Sequence, residues 1–236
     1  MYYTRQLRRG AAALQLLRFV CSNVSHGMAL LRLVAIKVFN SGPAKAKHHP
    51  MLILPILNAV ETPNLVLREM RSADVEAFAG FMTQPRYQRF IAHRFRDQTE
   101  VSAFVDRQVA TQGEMRRHVF HLAVEERHSR EVVGDGFMIA HQDKTVEIGW
   151  GLHPALWRVG FGTEIGRALL GLAIERLKAK SVWCKVMKPN VASACLAKRI
   201  GFQMIETKHH YPVGHGHFED VDVFKMGAEA YFDLPY

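Results

Sequence analysis

Apolar and polar residues alternate over Leu65–Met70, as they do in a strand buried on one face. The period then changes. Ser72 is placed to cap a helix running to about Met82, with Asp74 and Glu76 in a first turn where the helix dipole favours acids. Val101, Phe104, Val105 and Val109 recur at helical spacing within Thr99–Gly113, and Gly113 ends that helix. Three strand patterns follow, His118–Val124, Val132–Ala140 and Thr145–Leu152, joined by the polar turns Arg127-His128-Ser129 and His141-Gln142-Asp143. After Pro154 and a glycine turn, Ile165, Ala168, Leu169, Leu172, Ala173 and Leu177 predict an amphipathic helix of about four turns, from Thr163 to about Ala179. Ser181–Met187 reads as a strand. Pro189-Asn190 opens a short helix that Gly201 closes. Phe202–His209 and Phe218–Met226 are the last two strands. The predicted order is β-α-α-β-β-β-α-β-α-β-β, with no internal repeat and no low-complexity segment.

Length and composition narrow the class. A chain of 236 residues suits one domain with extra sequence. A hydrophobic share of 48% and a charged share of 22% exclude a disordered or fibrous chain. The net charge of +9 first suggests a nucleic-acid partner, but its distribution removes that reading. Residues 1–60 hold Arg5, Arg8, Arg9, Arg18, Arg32, Lys37, Lys45 and Lys47, and the first carboxylate of the chain is Glu61. Residues 61–236 are left with 23 basic and 22 acidic residues, a net of +1. The basic character belongs to a leader, and no DNA partner is expected for the domain.

The leader, residues 1–50, has three readings. It is a basic amphipathic arm for a membrane surface or RNA, a segment like an organelle transit peptide, or an upstream extension with Met51 as the true start. Arg18 and Arg32 interrupt its apolar runs, so no membrane span of about 20 residues is predicted. Ser41-Gly42-Pro43 marks a loop before Met51. Cys21, Cys184 and Cys195 are too far apart for a disulfide framework or a zinc spacing, which points to a reducing cytoplasm.

The most informative stretch is Trp157-Arg158-Val159-Gly160-Phe161-Gly162 between a strand and a long helix. Glycines let backbone approach an anion, and the free amides of a helix N-terminus point at it. Three readings fit the turn alone: a dinucleotide site, an acetyl-CoA site, or merely a tight corner. Context weakens the first. The turn follows the fourth strand of a largely antiparallel run, not the first strand of a βαβ unit, and Val182-Trp183-Cys184-Lys185 supplies no acid for a ribose.

Four further motifs join the turn. They are Glu147-Ile148-Gly149-Trp150-Gly151-Leu152-His153-Pro154, Gly162-Thr163-Glu164, Asn190-Val191-Ala192-Ser193 and Ile200-Gly201-Phe202. In combination they resemble the GNAT N-acetyltransferases, and Thr62–Arg68 is similar to the opening strand of the RimJ/RimL-like branch. The resemblance covers 61–232. It implies an α/β (α+β) fold, the acyl-CoA N-acyltransferase fold: a central mixed, mostly antiparallel, twisted sheet of about seven strands with about four helices. It implies acetyl-CoA as co-substrate, no metal, and an amine acceptor that is either a peptide N-terminus or a small molecule. There are two departures. Trp157 stands where the general signature has Gln or Arg, and Ala197 stands where many members carry a tyrosine that protonates the leaving thiolate.

The resemblance also implies roles. Glu147 would take the amine proton, alone or through a water; the other role open to it is a structural acid paired with a neighbouring Arg or His. A backbone amide near Gly151-Leu152 would polarise the thioester carbonyl. Amides from Arg158 through Val159, Gly160, Phe161 and Gly162 to Thr163 would hold the pyrophosphate, with Arg158 adding charge or merely facing solvent. Asn190 would bind the pantetheine arm or cap its helix, and Ser193 would contact the cofactor or pack in the first turn. Without a hydroxyl at Ala197, the thiolate would leave unassisted or take a proton from water. His209, His210, His215 and His217 fall between the last two strands and read as a substrate-facing or solvated loop rather than a metal site. Two rivals from other classes are a non-catalytic acyl-CoA-binding module and an RNA-associated protein acting through residues 1–50. The assembly state is open, a homodimer included.

Overall fold

The structure, a computed structural model, describes residues 57–214 and 216–235. The leader, Met51 and His215 lie outside the described residues. Eight strands form one sheet: β1 (Val60–Glu61), β2 (Leu65–Glu69), β3 (Val119–Glu126), β4 (Val132–Ala140), β5 (Thr145–Leu152), β6 (Ser181–Met187), β7 (Gln203–Gly214) and β8 (His217–Gly227). Their spatial order is β1-β2-β3-β4-β5-β6-β8-β7. Every neighbouring pair is antiparallel except β5 and β6. The helices are α1 (Val75–Met82), α2 (Pro85–Gln88), α3 (Gln98–Thr111), α4 (Phe161–Gly171), α5 (Val191–Arg199) and α6 (Ala228–Phe232).

Strand alternation divides the core between the two faces of the sheet. On one face Leu65, Leu67, Leu122, Val124, Met138 and Ile148 pack with Ile165, Leu169 and Leu170 of α4 and Ala197 of α5. On the other, Ala123 packs with Phe78, Phe81 and Met82 of α1 and Val101 and Val105 of α3. The antiparallel pairs β3–β4, β4–β5 and β7–β8 are joined by short turns, whereas the parallel pair β5–β6 needs the crossover through α4. That pairing lasts only from Thr145↔Ser181 to Glu147↔Trp183. Beyond Glu147 the two strands part, and the gap between them holds the candidate site.

Several expected boundaries shift. The sheet has eight strands rather than about seven, because Val60–Glu61 adds an edge, and the glycine turn therefore follows the fifth strand. Among the described residues six α-helices replace about four, since the sequence pattern gives no warning of the one-turn helices α2 and α6. Ser72 does not cap α1; it begins a 3-10 turn, Ser72–Asp74, whose N-cap is Arg71. Asp74 is drawn there because its carboxylate accepts from the Arg71 amide (2.8 Å) and the buried Arg68 guanidinium (2.8 Å). The helix expected to reach Ala179 is α only to Gly171 and then widens into a π turn, Leu172–Arg176. The last two strands are longer than expected and form a hairpin with three register shifts, so a simple alternation is broken by its bulges. His209 and His210 therefore lie on β7 and His217 on β8, not in a loop. His210 stacks on Phe218 at 4.3 Å, and His209 lies 2.9 Å from Asp220.

Candidate active site

The glycine turn is fastened to the end of β5. Trp157 donates from its indole Nε1 to the Leu152 carbonyl (2.9 Å), and the Arg86 guanidinium lies over its ring at 5.1 Å. Arg158 (φ 72°) and Gly160 (φ 99°) both take left-handed backbone. Gly160 is glycine for that conformation, since a Cβ there would meet open space. The first bonds of α4 run from Thr163 and Glu164 back to the Gly160 carbonyl, so the Phe161 and Gly162 amides precede the ladder. Gly162 serves packing as well: an added Cβ would lie 2.7 Å from Leu196 of α5.

Glu164 would oppose an anion at this helix end. Instead it turns to the start of β2, accepting from Thr62 Oγ1 and the Asn64 amide (2.7 Å) and side chain (2.9 Å). Burial works to raise its pKa, but these bonds hold it below the ordinary carboxylate value.

A cavity of about 620 Å³ runs from this turn along α5 to the end of β5. Arg158, Gly160, Gly162 and Thr163 line it, as do Gly151, Leu152, Asn190 and Ser193. Val159 and Phe161 differ: Val159 is 59% exposed and Phe161 packs on the core, so only their amides remain available to an anion. Asn190 is the N-cap of α5, accepting from the Ser193 amide at 3.2 Å. The sequence reading missed two cations on this cavity, Arg86 and Arg199. With Arg158 they place three guanidiniums around a helix N-terminus, a good match to a pyrophosphate.

A second cavity, about 410 Å³, lies on the α1/α3 face of the sheet. Tyr87, Trp150, Gly151, Asn190 and Ser193 line both cavities, so the two meet where β5 and β6 part. Glu147 stands in the second cavity, its Oε1 3.2 Å from Lys185 Nζ. Lys185 also donates to the Tyr211 hydroxyl (3.1 Å). Burial works to lower the Lys185 pKa, but the Glu147 charge and the Tyr211 hydroxyl outweigh it and hold the ammonium above its ordinary value. The structural partner of Glu147 is thus a lysine, not the Arg or His expected.

Sequence reasoning also missed a linked trio, two of its members buried and His121 partly so. Tyr87 donates to Asp135 Oδ1, and His121 Nε2 lies 2.9 Å from Asp135 Oδ2. Burial first, then the Asp135 charge and hydrogen bond, push the Tyr87 hydroxyl well above its ordinary pKa. A Cβ on Gly151 would collide with both Asp135 Oδ1 and Tyr87 Oη, so Gly151 is glycine because this pair lies directly over it. Residues 87, 121 and 135 carry no local motif; only strand pairing, which sets Asp135 opposite Gly151 and Phe137 opposite His121, joins them. Ala197 is fully buried among core residues.

Residues 64–203 match the family described as the acetyltransferase (GNAT) domain. The chain belongs to the GNAT acetyltransferases, and it is an acyltransferase. One similar protein is the uncharacterized N-acetyltransferase YoaA of Bacillus subtilis (strain 168), 25% identical over 176 residues, which span 74% of this chain and 97% of YoaA. The fold resembles a GNAT-family acetyltransferase from Bacillus anthracis, with TM-score 0.65 and 17% identity over 73% of this chain and 99% of that one. It also resembles RimL, a ribosomal alpha-N-protein acetyltransferase, in complex with coenzyme A, with TM-score 0.65 and 18% identity over the same shares. Among the described residues of this GNAT domain, no group of three or more His, Cys, Asp or Glu is placed to hold a metal ion. No helix among them is long and apolar enough to cross a membrane.

Proposed function

We propose that this GNAT protein moves an acetyl group from acetyl-CoA to a primary amine by direct attack, without a covalent enzyme intermediate. The observation that carries the reading is the junction of the two cavities at Gly151, Asn190 and Ser193, beside an anion-binding helix end. The pyrophosphate would rest on amides between Arg158 and Thr163, among Arg86, Arg158 and Arg199. The pantetheine arm would follow the parted edge of β5 past Asn190. Amides near Gly151-Leu152, freed from β6 by the splay, would receive the carbonyl oxygen as it gains charge.

The amine would approach from the smaller cavity. Glu147 lies four residues before Gly151, roughly 13 Å along an extended strand, so a water between carboxylate and amine suits the geometry better than direct contact. Lys185 stays protonated and holds the carboxylate in place. Two hydroxyls line both cavities, those of Tyr87 and Ser193. The Tyr87 proton is committed to Asp135, which leaves the Ser193 hydroxyl to hydrogen-bond the departing thiolate, a task Ala197 has no group to perform. RimL in complex with coenzyme A supports coenzyme A as the molecule in the larger cavity. The same reading places the reaction in the cytoplasm, where thiols stay reduced.

The test is thiol release from acetyl-CoA with a panel of amines and peptides. Glu147→Gln should cut turnover by about 10²-fold or more while acetyl-CoA binding is kept. Binding of acetyl-CoA with no amine acetylated would overturn the reading.

A further inference from the structure

The smaller cavity has a composition that restricts what it can accept. Five rings follow one another along its wall: His93, Phe95, Phe104, His121 and Phe137, with centroid separations of 4.6, 5.3, 4.8 and 5.7 Å, all in edge or tilted contact. They come from the segment after α2, from α3, from β3 and from β4. Its volume of about 410 Å³ falls in the range of small-molecule pockets.

The carboxylates of the cavity are already engaged. Glu147 is paired with Lys185, and both oxygens of Asp135 are engaged, one by Tyr87 and one by His121. Glu147 serves the reacting amine, and the second carboxylate, Asp135, is already taken by Tyr87 and His121, which leaves neither for another ammonium. The walls also meet. Gly214, at the end of β7, approaches the Ala92 carbonyl so closely that a Cβ would collide with it, which brings the hairpin onto the segment after α2. Three of the five rings are the phenyl groups of Phe95, Phe104 and Phe137, which offer the further N–H and C=O groups of a polypeptide acceptor no hydrogen-bond partner.

From the ring wall, the engaged carboxylates and the approach of the hairpin to the segment after α2, we infer that the acceptor is a primary amine on a small apolar, ring-bearing skeleton. This rests on the amine-acetylation reading above and narrows it. The skeleton lies edge-to-face against the wall, as aromatic pairs prefer, and the amine points to the junction of the cavities. A polyamine leaves its second ammonium desolvated among rings, which cation–π attraction offsets only in part.

The experiment uses the full chain with acetyl-CoA and three acceptors: 2-phenylethylamine, spermidine and a tetrapeptide with a free N-terminus. The expected result is a kcat/KM for 2-phenylethylamine about tenfold or more above the other two, the scale on which a shaped apolar pocket discriminates. Phe137→Leu should raise the KM for 2-phenylethylamine about fivefold or more with coenzyme A affinity unchanged, the latter showing that the variant is folded. Spermidine or the peptide matching 2-phenylethylamine would overturn this inference and leave the transferase reading standing. A KM unmoved in Phe137→Leu would overturn the role of the ring wall. No transfer to any of the three, with acetyl-CoA bound, would remove the amine-acetylation reading and this one with it.

Discussion

The two cavities that meet at Gly151 are built in opposite ways. The larger is assembled from a short length of chain: 150–163 gives the strand end, the turn and the helix start, and 190–199 gives the facing helix, with Arg86, Tyr87 and neighbours closing one side. Its chemistry is backbone amides and guanidiniums. The smaller draws on α1, the segment after α2, α3, β3, β4, β5, β6 and the β7–β8 hairpin, and its chemistry is rings and paired charges. An anion shared by every substrate can be held by one local motif. An acceptor that differs between enzymes is held by a surface that many elements contribute to, and each can vary alone.

The sharpest way to break this division is at the shared boundary. In Gly151→Ala the new Cβ collides with Asp135 and Tyr87, and either they move or the strand edge does. Because that edge orients the thioester, kcat/KM should fall by about 10²-fold or more, a loss expected from a misplacement of about 1 Å. Steady-state kinetics would show it, and activity close to that of the parent protein would mean the boundary is not where the acetyl group lies. Gly162→Ala is the contrast: its Cβ meets the flexible end of Leu196, and its effect should appear in the melting temperature before it appears in turnover.

A smaller effect is expected at Gly160. Alanine at φ 99° is strained by roughly 1–2 kcal/mol. If the turn relaxes to avoid the strain, the Phe161 and Gly162 amides lose their aim, and the Kd for coenzyme A should rise about tenfold. Acceptor preference should not change, since nothing in the smaller cavity touches Gly160. Calorimetric titration with coenzyme A checks the first part and the ratio of kcat/KM values between two amines the second. A changed ratio would show that the cavities are not independent.

The same contrast explains what was legible in the sequence. β4, β5 and β6 were predicted with the ends they have, because each is a mostly apolar stretch with a single charged residue inside it, flanked on both sides by polar residues. The turn and the Asn190 cap were visible because their function depends on neighbours one to four residues away. Tyr87, His121 and Asp135 were not, because their meaning comes from strand pairing and from α2, a single helical turn too short to show a period. The β7–β8 hairpin was underestimated for a related reason: its bulges break the period-two pattern, so the strand read as ending at His209 and His210 as loop. Glu147 was found, but Lys185, which lies on β6 beyond the 28-residue crossover 153–180, was not.

The smallest effect tests whether the smaller cavity is as dry as its lining suggests. Cys184 lies at its edge on β6, where burial, helped by the Glu147 charge, pushes the thiol up to about 12. An unfolded cysteine titrates near 8.5. The folded-state pKa is the raised one, so this contribution is fully present below the unfolded value and is lost as pH rises towards 12. In that window each pH unit should remove roughly 1.4 kcal/mol of stability. Urea unfolding at about pH 7.5 and 9.5 should therefore show a larger loss in the parent protein than in Cys184→Ala, by roughly 1 kcal/mol. The cavity left by the substitution lowers both of its values equally and drops out of the difference, as do the groups that titrate in both proteins. Glu147→Gln removes the lesser cause and should recover a small part of that slope. Parallel pH curves for the parent and Cys184→Ala would mean that water reaches the thiol, and that the apolar lining does not keep the acceptor side dry.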